Sequence, residues 1–163
     1  MMSVVPILHS LLLLTLANGS PVVAKKLFGS RFALALDGGV SFFDGRPVFG
    51  ASKTVRGLVA STVVTAIGAT VFGLSFQLGA LVAIAAMAGD LFSSFLKRRM
   101  NLPPSSQALG LDQVPESLFP LLACRDMLGL NYADVFLTVW IFLVGELAIS
   151  RVLYTLRVRD QPY

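Results

Sequence analysis

Hydrophobic residues in this chain run in long blocks, and the polar and basic residues are gathered between them. A hydrocarbon core about 30 Å thick is crossed by about 20 mostly apolar helical residues, and five stretches reach or approach that length. The first runs from about Val4 into "LLLLTLANGSPVVA", with a polar interruption from Asn18 to Pro21. The second is "GLVASTVVTAIGATVFGLSF" and the third "LGALVAIAAMAGDLFSSFL", separated by a very short turn around Ser75 to Gln77. The fourth, "LDQVPESLFPLLACRDML", is the least hydrophobic, and the fifth, "ADVFLTVWIFLVGELAISRVLYTL", is the clearest. The pattern predicts an all-α integral membrane protein with five transmembrane helices, folded as a single membrane-embedded domain over residues 1–163. A secretory signal peptide would also show a short apolar core followed by small residues. No basic region precedes this one, however, and Lys25 and Lys26 follow it, so a retained helix is expected.

Composition agrees with a lipid solvent: 13% of the residues are charged, against about 25% in ordinary soluble domains. The net charge of +4 and pI near 9.6 do not point to nucleic acid, because the cations lie between apolar blocks and not along one soluble face. Their placement instead sets an orientation. Lys25, Lys26, Arg31, Arg46, Lys53 and Arg56 fall in the first loop, Lys97, Arg98 and Arg99 in the third, and Arg151, Arg157 and Arg159 near the C-terminus. Only Arg125 falls on the other side. The excess of Lys and Arg in cytoplasmic loops then puts the N-terminus outside and the C-terminus in the cytoplasm of a multi-pass protein of the cell membrane. The single cysteine, Cys124, lies in an apolar stretch with no partner for a disulfide or a metal cluster, and reads as a core residue. His9, alone in the first apolar run, reads as a packed or interfacial residue.

The first loop is too long for a simple connector. Its "DGGVSFFDGRPVFG" combines Asp-Gly turns with flanking apolar residues, which predicts an ordered cytoplasmic excursion or short hairpin. The segment that follows, "GASKTVRG", has the look of a phosphate-binding loop. Measured from Gly45, however, its lysine comes two residues later than in a P-loop, and no buried strand precedes it, so that reading is rejected. What stands is a cluster of Ser52, Lys53, Thr54 and Arg56 at the start of a helix, where unpaired amides and the helix dipole favour an anion. A nucleotide phosphate and an anionic lipid headgroup satisfy that cluster equally well.

The third apolar stretch narrows the chemistry. Asp90, Ser93, Ser94 and Lys97 share one helical stripe. A carboxylate beside an apolar run costs roughly 2.5–3.5 kcal/mol at a helix centre, which marks Asp90 as functional. Asp90 and Lys97 are separated by roughly 10 Å of helix rise, too far for direct pairing. Beyond the third loop, Asp112 stands where an aspartate caps a helix, and would face the same vestibule as Asp90. Two acids beside dense cations suit a Mg²⁺-polyphosphate site, with the acids on the metal and the cations on the remaining charge.

The segments "NGSPVV", "DGRPVFGASKTVRG", "GDLFSSFLKRR" and "LDQVPE", in this order, resemble the CDP-archaeol synthase family, integral-membrane relatives of the CDP-diacylglycerol synthases. The resemblance covers roughly Asn18 to Glu116, with a compatible basic-proline-aromatic tail, "RVRDQPY". It implies five transmembrane helices and a Mg²⁺-dependent cytidylyltransferase that converts CTP and a membrane lipid phosphate into a CDP-lipid and pyrophosphate, with its active site facing the cytoplasm. By position it makes Asp90 and Asp112 the metal-linked acids. Lys97 and Arg98 then lie beside the polyphosphate, and Asn18, Ser52, Lys53, Thr54, Arg56, Ser93 and Gln113 belong to the binding set. Relatives often carry an acid three residues after the first aspartate of the last motif, where this chain has Pro115 followed by Glu116. A small transporter or ion-pathway subunit would use Asp90 with Glu146 in the fifth stretch. That reading leaves the Ser-Lys-Thr-x-Arg cluster and Asp112 without a role. Glu146 is assigned no catalytic part. Isoprenoid ether and fatty acyl lipids are not separated by sequence, and oligomeric state is not read from it.

Overall fold

The computed structural model describes residues 4–104, 106 and 108–155, apart from the side chain of Leu153. The basic tail, with Arg157 and Arg159, lies outside the described residues. Helices dominate: α1 (Val4–Phe28), α2 (Val55–Val71), α3 (Phe76–Arg99), α4 (Gln113–Ala123), the single turn α5 (Arg125–Leu128) and α6 (Tyr132–Thr155). Among the described residues, extended pairing is limited to two isolated antiparallel bridges, Ala35 with Thr54 and Ser41 with Pro47. Among the described residues three helices are long and apolar enough to cross a membrane: α1, α3, and α6 as far as Val152. The shorter α2 is apolar over 17 residues.

Two expected spans differ in detail. The first continues through Asn18 to Pro21 without a break. Pro21 has no amide to donate to the carbonyl of Ala17 four residues earlier, and Ser61 Oγ of α2 donates to that oxygen instead, at 2.8 Å. In a medium without water such a substitute donor decides whether an internal proline is tolerated. The fourth is not one helix. After 11 residues α4 stops at Cys124, and α5 adds one turn before Gly129, in the left-handed region at φ 69°. A reciprocal capping box then starts α6: Asp134 N donates to Asn131 Oδ1 at 2.9 Å and Asn131 N to Asp134 Oδ2 at 3.2 Å. Eleven residues rise only about 16 Å, so α4 falls short of a bilayer by itself.

The helices pack through small residues. A Cβ placed on Gly79 of α3 would meet Ala69 Cβ at 2.6 Å and Thr65 O at 2.7 Å in α2. One on Gly89 would collide with the Pro115 carbonyl and lie 2.8 Å from Glu116 N, so α3 and α4 approach backbone to backbone there. The apolar core lies among Leu13, Leu14, Val82, Leu121 and Leu128, with Cys124 inside it as expected. His9 lies 6.4 Å from the ring of Phe72, a packing contact.

The first loop is an ordered hairpin. Phe42 N donates to Arg46 O at 2.7 Å and Val48 N to Val40 O at 3.1 Å, while Leu36 N donates to Lys53 O at 2.7 Å. Asp37 organises its base by accepting from the amides of Gly39 (3.0 Å), Phe49 (2.9 Å) and Gly50 (2.8 Å). Burial pushes the Asp37 carboxyl up, but these amides hold it below its ordinary value. The hairpin tip is fastened to the end of α3 by Arg99. Its guanidinium lies 4.8 Å from the ring centres of both Phe42 and Phe95, pairs with Asp44 at 3.2 Å and donates to Pro47 O at 2.6 Å.

Two consequences are measurable. Gly89→Ala is expected to destabilise the detergent-solubilised protein by about 1–3 kcal/mol, whereas Gly145→Ala, where a Cβ meets nothing within 4 Å, is expected to hold or raise the melting temperature. Asp37→Asn is expected to speed hydrogen exchange at Phe49 and Gly50 about tenfold, the equivalent of about 1.4 kcal/mol. In the wild type the same acceleration appears only as pH falls through the depressed Asp37 value, because the anchoring requires the carboxylate.

Candidate active site

α1, α2, α3, α4 and α6 enclose a cavity of about 550 Å³ that opens beside the first loop. Each helix contributes polar groups by its local pattern. Asn18, Val22 and Lys25 follow one face of α1, Arg56 comes from the first turn of α2, and Asp90 from α3, with Glu116 from α4 and Glu146 from α6. The loop supplies Ser52, Lys53 and Thr54 from the turn held by Asp37.

The centre of the site is an ion pair. Lys53 Nζ donates to both carboxylate oxygens of Asp90, at 2.6 Å to Oδ1. Burial pushes the Lys53 ammonium down, but Asp90 beside it, and then Glu116 and Asp112, hold it above its ordinary value. It is therefore a cation throughout the physiological range. Glu116 follows the backbone contact at Gly89, so the close approach of α3 and α4 sets its carboxyl beside Asp90. Two neighbouring carboxyls, with hydroxyl and amide oxygens around them, form a hard oxygen donor set, and the Lys53 ammonium beside them is placed for phosphate charge and not for the metal. That set suits Mg²⁺, which takes one or two carboxylates together with substrate phosphates and water. No group of three or more His, Cys, Asp or Glu positioned for a metal occurs among the described residues.

Of the residues singled out by sequence, Asn18, Ser52, Lys53, Thr54, Arg56 and Asp90 line this cavity. Some of their polar atoms are engaged: Thr54 Oγ1 caps α2 by accepting from Gly57 N at 3.2 Å, Asn18 Nδ2 donates to Leu14 O at 3.1 Å, and Arg56 Nη1 donates to Gly29 O and Arg31 O. Ser93, Lys97, Arg98, Asp112 and Gln113 are not among its lining residues. Lys97, Arg98, Asp112 and Gln113 form a second polar cluster where the third loop folds over the end of α3, while Ser93 bonds within α3 itself. Lys97 pairs with Asp112 at 2.6 Å and donates to Ser106 O at 3.0 Å. Arg98 Nη2 donates to Pro103 O, Gln113 Oε1 accepts from Gly110 N, and Ser93 Oγ donates to Gly89 O. Asp112 occupies the N-cap position of α4 without a side-chain capping bond, and accepts from Ala108 N at 2.9 Å. The stripe read from sequence is real, but its two ends serve different clusters.

Lys25 and Glu146 are cavity residues that the sequence reading did not assign. Lys25 was legible only as one cation among several, and its seven-residue spacing from Asn18, two turns along one face, was the available signal. Glu146 borders a second cavity as well, an apolar groove of about 310 Å³ between α1 and α6 lined by Leu11, Ile141, Phe142 and Ile149. Asn18, Val22 and Glu146 line both spaces, so the polar cavity and the apolar groove meet at these three residues.

A CDP-archaeol synthase of Pyrococcus furiosus is 43% identical over 107 residues, 60% of each chain. One from Pyrobaculum calidifontis is 34% identical over 152 residues, 90% of each. The aligned segment thus spans about 60% of the length of the Pyrococcus relative. A solved structure of an intramembrane enzyme for archaeal membrane lipid biosynthesis superposes with a TM-score of 0.63 at 28% identity, covering 84% of this chain and 90% of that one. The family profile described as CarS-like, CDP-archaeol synthase matches residues 2–163, and the chain belongs to that family.

Proposed function

We propose that this chain is a Mg²⁺-dependent cytidylyltransferase that moves CMP from CTP to the phosphate of an archaeol-type diether lipid, releasing pyrophosphate. The observation that carries the reading is the junction at Asn18, Val22 and Glu146, where a cavity holding Lys53 and Asp90 opens into an apolar groove. A lipid phosphate needs that combination: a charged chamber for the reacting group and a dry channel for its chains. The wider expectations belong to the same proposal. The chain is a single domain in the cell membrane, with α2 and the α4–α5 pair completing five spans and the cavity facing the cytoplasm.

The lipid phosphate oxygen attacks the α-phosphorus of CTP in line; the new P–O bond forms as the bond to pyrophosphate breaks. A phosphate monoester loses its second proton near pH 6, so the attacking oxygen needs no strong base. Positioning and charge neutralisation dominate, as in other phosphoryl transfers. When bound, Mg²⁺ supplies Lewis-acid stabilisation of the charge that moves onto pyrophosphate. Asp90 would hold it, with Asp112 as the second acid and Glu116 as an adjacent carboxyl. Each proposed metal acid is paired with a proposed phosphate lysine, Lys53 with Asp90 and Lys97 with Asp112. The lysines turn from their acids to phosphate oxygens as substrate enters, so charge stays balanced at every stage. An ion-pathway role for Asp90 and Glu146 has no comparable use for Lys53 or for the groove.

The deciding experiment supplies purified protein with labelled CTP, Mg²⁺ and a panel of ether and acyl lipid phosphates, and scores CDP-lipid and pyrophosphate together. Lys53→Met and Asp90→Asn are each expected to lower kcat/KM at least about 100-fold, the scale of losing one charge-stabilising contact, and to lower the melting temperature of a still folded protein because the partner is left unpaired. Asp112→Asn is expected to match Asp90→Asn. If Glu116→Gln inactivates and Asp112→Asn does not, the second metal acid is Glu116. Activity is expected to rise with pH through about 6 as the lipid phosphate ionises. It should fall only above the ordinary lysine range near about 10.4, because Lys53 is held above that value while paired. Pyrophosphate without CDP-lipid would make the chain a hydrolase.

A further inference from the structure

The C-terminal end of α1 does not finish in a polar cap. Its outward apolar stripe, Leu8, Leu12 and Val23, continues to Leu27, which is 74% exposed, and the chain then turns and exposes Phe28, Phe32 and Leu34. Phe32 is 74% exposed and has φ 57°, a left-handed backbone that is costly for an aromatic L-residue. The turn is held in that form from behind: Arg56 Nη1 donates to Gly29 O at 2.9 Å and to Arg31 O at 2.7 Å. Lys26 and Arg31 are exposed beside the apolar set, and no Asp or Glu precedes Asp37 in the chain. A strained turn that presents aromatic rings, with Lys26 and Arg31 exposed beside them, and that is continuous with the outer face of a spanning helix, matches one environment. That environment is the headgroup–acyl boundary of an anionic bilayer, where aromatic rings and basic side chains concentrate.

We propose that the Leu27–Leu34 turn is an interfacial wedge that seats Phe28, Phe32, Leu27 and Leu34 in an anionic lipid surface, with Lys26 and Arg31 on lipid phosphates. Because Arg56 both clamps this turn and lines the polar cavity, the seated wedge fixes one cavity wall at a set depth in the membrane. The inference does not depend on which reaction the cavity performs.

The test places an environment-sensitive fluorophore at position 32 by Phe32→Cys in a Cys124→Ala background and reconstitutes the full chain in phosphatidylcholine–phosphatidylglycerol vesicles. The label is expected to be quenched by lipids spin-labelled near the headgroup and shielded from aqueous iodide. Arg31→Glu is expected to lower the lipid-quenched population at least about fivefold, the effect of one lost surface charge contact. Leu27→Cys, on the helical side of the turn, provides the same reading should the Phe32 variant fail to fold. Quenching by iodide in place of lipid overturns the wedge, as does protection from both quenchers, which would mean that the turn rests on another protein surface. Unchanged lipid quenching in Arg31→Glu overturns the role given to charge.

Discussion

Lys53 and Asp90 are 37 residues apart in sequence, and their ion pair is the constraint around which the other elements are arranged. Neither group tolerates this location alone. A carboxylate on a spanning helix and an ammonium facing it are each expensive in a medium that solvates ions poorly, and an unpaired partner left behind costs more than the pair itself contributes. Bringing them together requires a loop that returns to the membrane surface with a fixed backbone. Asp37 provides this by binding the amides of Phe49 and Gly50 just ahead of the lysine. Arg99 provides it at the far end by fastening the hairpin to α3 between two aromatic rings. The hairpin, which carries little apolar surface into the core, is thus ordered by polar and cation–π contacts.

The helices solve a related problem. Without a hydrophobic force between them, close packing and internal hydrogen bonds must hold the bundle. Gly79 and Gly89 let α3 approach α2 and α4 at backbone distance. The second contact has a chemical result, because it sets Glu116 beside Asp90. Ser61 completes the hydrogen bond that Pro21 cannot make, so α1 stays continuous where its sequence looks broken. Asn18 therefore keeps its place at the mouth of the apolar groove.

Much of this was legible from local pattern. Long apolar blocks predict spanning helices because a bilayer demands about 20 residues of them, and α1, α3 and α6 follow. Asp90 stands out because a charge there has no local excuse. The Asp-Gly turns of the first loop predict an ordered hairpin because their backbone conformations favour reversal. The fourth stretch misleads because hydropathy averages over Pro115, Pro120 and the Arg125–Asp126 pair, whereas helix continuity depends on individual donors and caps. Lys25 passes as one anchor among several cations, and Glu146 stands out only as an intramembrane acid, with no neighbouring motif to join it to the cavity.

The sequence by itself determined the solvent, the helical class and the identity of the charged residues, since each follows from composition, length and spacing within one segment. Only the tertiary structure decided which charges meet. Lys53 with Asp90, Lys97 with Asp112, and Glu116 beside Asp90 are contacts between segments, set by where glycine permits two backbones to approach and where a loop is fastened. The meeting of the polar cavity with the apolar groove is likewise a property of five packed helices. No single stretch encodes it, because a cavity is the space that packing leaves unfilled.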